Sequence, residues 1–195
     1  MVEVSNVKVY DLKESVIAAR NAMRTTPPDY TEEEFQKSLD RAIKLAQAPN
    51  GSAHDHFLCG IRVAFDIKYP AYFTPELQRY HFVDIVCSSS KMHRLINMNM
   101  DLCFNEYVTD DSIAQMKNLI QVYNYDKTYE NFMRVLSNCP LGIELFMRCT
   151  TNYLALKTIY HQRKNHKLVD DWQKAFCQDF IEQLPYAKEF IIGNK

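Results

Sequence analysis

The chain has 195 residues, of which 47% are hydrophobic and 12% aromatic, enough for one domain with a substantial core and with nothing to suggest a second. Its formal net charge is -1, from 23 Lys plus Arg against 24 Asp plus Glu, so no whole-protein field attracts duplex nucleic acid or an anionic membrane, and any basic site must be local. The 6 cysteines show no C-x-x-C pair and no metal spacing, which points to reduced thiols in the cytoplasm. The first ten residues are acidic and polar where a signal peptide would be basic and then apolar, and no apolar run reaches membrane-spanning length.

Val4 to Tyr10 alternates Val7 and Val9 with Lys8, the period of a short strand. Asp11 then opens D-L-K-E, a capping box with Glu14 reaching back, and the spacing predicts a helix from Val16 to Met23 that Pro27 and Pro28 end. T-E-E-E at Thr31 to Glu34 repeats the box, and Phe35, Leu39, Ile43 and Leu45 give a second helix its apolar stripe, stopped at Pro49-Asn50-Gly51. His54-Asp55-His56 follows in a loop, but two alternate histidines lack a third ligand of recognisable spacing, so no metal site is assigned. Ile61, Val63, Phe65 and Ile67 alternate as a central strand, and Pro70 leads into a helical segment from Ala71 to Tyr80 with Pro75 at or near a kink or a first turn.

The stretch from Glu76 to Arg94 is the most crowded with chemistry. Arg79, His81, Lys91, His93 and Arg94 surround Ser88, Ser89 and Ser90, a set that can hold one phosphate, although composition alone favours a solvated loop between buried segments. The Met-rich residues after it read as core filling. Asp110, Asp111 and Ser112 are expected to cap a helix, and another runs from about Thr128 to Leu136. The segment from Pro140 to Arg163 reads as one long helix across Leu145, Tyr153, Leu156 and Ile159. On it Asn152 and Arg163 share a face, eleven residues or about three turns apart. A last helix, Val169 to Leu184, carries Trp172, Phe176, Phe180 and Ile181.

Several chemistries are set aside. The serine run has no nucleophile-elbow context, the 4 glycines lie too far apart for a phosphate loop, and the Asp110-Asp111 and Asp170-Asp171 pairs sit where helix N-caps are expected. What remains is the cationic, hydroxylic stretch together with Asn152 and Arg163. Arg163 also fits a helix-terminal cation near a C-terminal dipole, and Asn152 a buried amide satisfying backbone.

These residues resemble the flavin-dependent thymidylate synthases at three places. The family signature R-H-R-x-x-S-x-N-E-x-S-x-R-Y, preceded by a strand, a Pro and a helix, begins at Arg79, with Ser89 on its second Ser and Lys91 on its last Arg. Tyr80 replaces the His, His81 the second Arg, Asp84 a Ser, Val86-Cys87 the Asn-Glu pair and Met92 the Tyr. The C-terminal spacing of Pro140, Asn152, Leu156 and Arg163, with Trp172 following, fits without a gap, and Ala18-Ala19-Arg20 resembles the family's A-A-R-x-S with Ala22 for the Ser. His54-Asp55 is similar to the family's His-Glu ahead of the strand.

The resemblance implies an α+β fold with a small mixed or antiparallel sheet and several long helices. It further implies a homotetramer that methylates dUMP to dTMP, with FAD as hydride carrier, methylenetetrahydrofolate as carbon donor and NADPH as reductant. Arg163 would polarise the uracil ring as the catalytic residue. Glu76, Ser89 and Lys91 would bind the nucleotide with it, and Arg79, His81, Asn152 and His54 would lie along FAD. The substitutions imply altered substrate choice or weakened catalysis. The alternatives are a degenerate nucleotide- or partner-binding protein on the same scaffold, acting as sensor, inhibitor or sequestering protein, and an oligomeric interaction protein with no small ligand.

Overall fold

The structure, a computed structural model, describes residues 1–49 and 52–193. Four strands, β1 (Glu3–Tyr10), β2 (Arg62–Pro70), β3 (Asp84–Ser88) and β4 (Glu144–Asn152), form an antiparallel sheet in the order β1-β2-β4-β3. The two central strands pair along their whole length, from Arg62 opposite Asn152 to Pro70 opposite Glu144. Val63, Phe65 and Ile67 of β2, with Met147 and Cys149 of β4, are buried on one face. Strand periodicity puts the intervening Asp66 and Arg148 on the other face, where they pair across the strands at 3.1 Å. The strand and hydrophobic alternation expected from Ile61 onward are therefore as found.

The helices are α1 (Leu12–Ala18), α2 (Glu32–Ala46), α3 (Thr74–Leu77), α4 (Lys91–Arg94), α5 (Asp110–Tyr125), α6 (Tyr129–Ser137) and α7 (Tyr153–Arg163). Two wider helices follow, α8 (Val169–Gln178) and α9 (Lys188–Ile192), in which Asp179 and Gly193 close five-residue bonds to the carbonyls of Lys174 and Lys188. The buried sheet face meets α8, where Phe65 lies 6.1 Å from Phe176; just beyond the helix Phe180 lies 4.7 Å from Phe65, and Trp172 of α8 lies 4.3 Å from Phe73, ring centre to ring centre. Fully burying side chains of this size contributes about 1.5–3 kcal/mol each, so this seam is the main anchor of the helices to the sheet.

Three expectations are corrected. The segment from Pro140 to Arg163 is two elements: Glu144 to Asn152 alternates Leu145, Met147, Cys149 and Thr151 inward with Phe146, Arg148 and Thr150 outward, and the helix begins only at Tyr153. Period two wins there because the segment fills the central gap of the sheet. The Asp11 capping box does not form: Asp11 has φ 58 and its side chain caps nothing, the chain turning directly from β1 into α1. At α5 the cap is Thr109, which accepts from the Ser112 N–H, one residue before the expected acidic pair. By contrast the Thr31 cap of α2 and the helix starting at Thr128 are as expected. Part of the expected stop at Pro49-Asn50-Gly51 lies outside the described residues.

Candidate functional site

Arg163 is the last residue of α7 and the centre of a cluster drawn from three helical segments. Pro75 in the first turn of α3 starts the short helix that presents Glu76, and Tyr80 follows three residues after it. Arg163 Nε donates to the Tyr80 hydroxyl at 2.7 Å and Arg163 Nη1 to Glu76 Oε2 at 3.0 Å. The same Glu76 oxygen accepts from Trp172 Nε1 at 2.7 Å, and His166 Nε2 lies 3.4 Å from it. The guanidinium carbon stands 4.7 Å from the Trp172 ring centre and 5.5 Å from that of Tyr80. Aromatic faces on a planar cation and two directed bonds fix it in one plane, which a flexible lysine ammonium could not reproduce. With 14% of the Arg163 side chain and 28% of the Glu76 side chain exposed, the pair is shielded but reachable. Arg163 Nη2 and Glu76 Oε1 have no partner among the described residues.

Beside this cluster, α7 and the 53–56 turn enclose a cavity of about 490 Å³ lined by Asp55, His56, Lys157, Thr158, His161 and Gln162 among others. That volume lies within the roughly 300–1,000 Å³ of small-molecule sites. Gln162 joins the two regions, because its Oε1 accepts from the Tyr80 hydroxyl at 3.0 Å. Lys157 is buried, its ammonium donating to Asp55 Oδ2 at 2.7 Å and to the Ala46 carbonyl at 2.6 Å, where it also neutralises the C-terminal end of α2. His161 Nε2 lies 3.0 Å from the Ile191 carbonyl. Burial, with the charges of Lys164 and Lys157, outweighs that bond and holds the imidazole below its ordinary pKa.

A second concave surface, of about 670 Å³, lies over the polar face of the sheet and is lined by Ser88, Ser89, Ser90, Arg94, Phe146 and Arg148 among others. An irregularity in β1 between Ser5 and Lys8 places Asn6 where its carbonyl receives Arg148 Nη1 at 3.0 Å, while its amide donates to Asp66 at 2.9 Å. Arg148 is thus committed to the sheet, and Arg94 is exposed.

The expected site residues fall into distinct groups. Glu76 and Arg163 are together in one ion pair. Arg79 and His81 are exposed in the connection from α3 to β3, with no side-chain partner among the described residues. Ser89 continues the β3–β4 ladder, its N–H donating to the Phe146 carbonyl at 2.8 Å and its Oγ accepting from the Phe146 N–H at 3.1 Å. Lys91 opens α4. Asn152 caps α7, its Oδ1 accepting from the Ala155 N–H at 2.9 Å, so it and Arg163 stand at opposite ends of that helix. His54 is exposed in the turn whose neighbours Ala53 and Asp55 line the cavity.

Sequence reasoning did not find Tyr80, Trp172 and His166 as partners of Arg163, nor Lys157 and His161 as cavity residues. For the latter the signal was present: Leu154, Lys157, Thr158 and His161 recur at three- and four-residue steps, one stripe of a helix.

This arrangement of an antiparallel sheet, buried aromatic helix and terminal arginine defines an α+β fold of the flavin-dependent thymidylate synthase type. The chain is similar in structure to the flavin-dependent thymidylate synthase ThyX of Helicobacter pylori complexed with FAD and dUMP, with a TM-score of 0.69 at 15% identity over 97% of this chain and 96% of that one. A second structure of that Helicobacter pylori enzyme with FAD and dUMP gives 0.69 at 14% identity, over 98% and 97%. The UMP/dUMP methylase PolB of Streptomyces cacaoi, bound with 5-Br dUMP, gives 0.57 at 13% identity, over 94% and 87%. No family model matches the sequence, and no curated protein matches it. At such identities the likeness establishes the fold, with a sequence far diverged from these neighbours.

Proposed function

We infer that this chain binds a flavin and a pyrimidine nucleotide and methylates the base, on dUMP or a related nucleotide. The observation that carries this reading is Arg163, a guanidinium fixed in one plane by Trp172, Tyr80 and Glu76 with Nη2 left unpartnered. A fixed cation beside a ring carbonyl stabilises the charge that develops there when the ring is attacked, without reorganising at the moment of reaction. The neighbours of this fold were crystallised with FAD and dUMP, which supports the same ligands here.

The residues present suit a flavin. The cavity beside α7 offers polar atoms of His161 and Gln162 that the chain does not fully use, and Arg79 and His81 are exposed on either side of Tyr80 in sequence, whose hydroxyl donates to Gln162. When bound, FAD supplies hydride transfer, with methylenetetrahydrofolate as carbon source and NADPH as reductant. Arg79, His81, His54 and the free amide of Asn152 would hold it. Glu76, Ser89, Lys91 and Arg163 would bind the nucleotide, Ser89 through its hydroxyl proton, since its lone pair already serves Phe146. The serine surface does not include Glu76 or Arg163, and a homotetramer that brings this surface of one copy to Arg163 of another would unite the nucleotide-binding residues. Six free cysteines favour a reducing compartment such as the cytoplasm, and among the described residues no helix is long and apolar enough to cross a membrane.

A second reading is favoured by Glu76. Its carboxylate already neutralises Arg163, which lowers the field available to a substrate and suits a protein that binds the nucleotide without turning it over. An assay of dUMP methylation with FAD, methylenetetrahydrofolate and NADPH separates the two. Turnover in the wild type that falls at least a hundredfold in Arg163→Lys supports the enzyme. Nucleotide binding with no turnover supports the binding protein.

A further inference from the structure

Most polar groups lining the cavity beside α7 are spent within the protein. Lys157 serves Asp55 and Ala46, and the Thr158 hydroxyl donates to the Leu154 carbonyl at 3.2 Å. His161 differs. A carbonyl only accepts, so the 3.0 Å contact with Ile191 requires the proton of the neutral ring to sit on Nε2. Nδ1 is then the lone-pair nitrogen, and it has no partner among the described residues. The lowered pKa favours the neutral ring. The backbone thereby fixes one tautomer of a partly buried imidazole that lines the cavity and has only an acceptor to offer. Gln162, next in sequence and lining the same cavity, has its Oε1 occupied by Tyr80, which leaves its amide N–H groups as donors. An acceptor and a donor therefore stand in one cavity.

We propose that His161 is a ligand-binding residue whose Nδ1 accepts a hydrogen bond from the imide N–H of a planar heterocycle, with the Gln162 amide donating to a flanking carbonyl. The inference rests on the nucleotide reading above and says which atoms read the ring. A phosphate is a poor occupant, since an acceptor-only anion would meet the Nδ1 lone pair and the Asp55 carboxylate. Two ligands carry the required edge, the uracil of dUMP and the isoalloxazine of FAD, each with a ring N–H between two carbonyls.

The test is a binding cycle on the full chain, using dUMP, FAD and the form of each methylated on that imide nitrogen. Methylation is expected to weaken binding of one of the two ligands to the wild type by about tenfold, the scale of one lost hydrogen bond. It is expected to make no difference in His161→Phe, which binds the parent ligand about tenfold more weakly. His161→Gln, which keeps a neutral acceptor, restores the discrimination and shows that the loss is not one of folding. The ligand that shows the coupling identifies the source of the ring. Equal binding of parent and methylated ligands by the wild type, or unchanged parent binding in His161→Phe, overturns the assignment while leaving the nucleotide reading in place. Failure of the wild type to bind either parent overturns both.

Discussion

Arg163 and Glu76, 87 residues apart in sequence, meet at 3.0 Å, and the Glu76 oxygen that receives the guanidinium also receives the Trp172 indole at 2.7 Å. One carboxylate oxygen thus ties α3, α7 and α8 together and orients the cation on which the proposed chemistry depends. Removing that acceptor leaves a half-buried guanidinium and a buried indole N–H with no partner, which costs more than the bonds themselves were worth.

Glu76→Ala is therefore expected to destabilise the fold by about 3 kcal/mol, and Glu76→Gln, which keeps an acceptor, by about 1 kcal/mol. Urea unfolding measures both. Equal losses in the two variants would mean that the negative charge, and not the acceptor oxygen or the volume of the side chain, carries the contribution.

Lys157 and Asp55 behave differently from a surface pair because both are buried. Lys157→Ala strands the Asp55 carboxylate and is expected to cost about 3–5 kcal/mol. The double variant Lys157→Met with Asp55→Leu removes both charges and is expected to recover at least half of that loss. A double variant less stable than Lys157→Ala would show that the pair is held for its attraction.

Much of the fold was legible in the sequence because one-sided burial writes itself into short periods. Val63, Phe65 and Ile67 mark β2, and Thr31 with Glu34 marks the start of α2. The stretch from Pro140 to Arg163 misled because Leu145 and Tyr153 suit a helical spacing while Glu144 to Asn152 in fact alternates in a central strand. Arg163 was found by its spacing from Asn152, but its partners were not, since an ion pair closed over 87 residues leaves no local pattern. Asn152 was picked out by the same spacing, and its carbonyl oxygen is spent capping the helix that carries Arg163.

The pH dependence of stability follows from His161. Burial, joined by the Lys164 and Lys157 charges, lowers its pKa below the ordinary 6.5, so the unfolded chain takes up the proton first. Stability is expected to be complete above about pH 6.5 and to fall as pH drops from there through the lower folded-state value. His161→Gln should remove that part of the decline in thermal unfolding measured between pH 7 and pH 5. An unchanged slope would assign it to other groups.

The thiols should separate sharply. Burial pushes Cys149 and Cys177 up to about 12 and Cys103 up to about 11, whereas Cys87 is exposed on the edge strand β3. A thiol-specific dye is expected to modify Cys87 first, with Cys87→Ser abolishing the fastest phase, and to reach the three buried thiols only on unfolding. Rapid modification of Cys149 in the native protein would contradict the buried sheet face.

The central claim is that a rigid Arg163 completes a site for a flavin and a pyrimidine ring, and the visible absorption spectrum of the protein tests it most directly. Protein mixed with FAD and freed of excess is expected to retain a flavin band, to shift that band on addition of dUMP, and to lose the shift in Arg163→Lys while keeping the flavin. Absence of retained flavin, with no response to dUMP in wild type or variant, would contradict the account and leave the scaffold without the chemistry proposed for it.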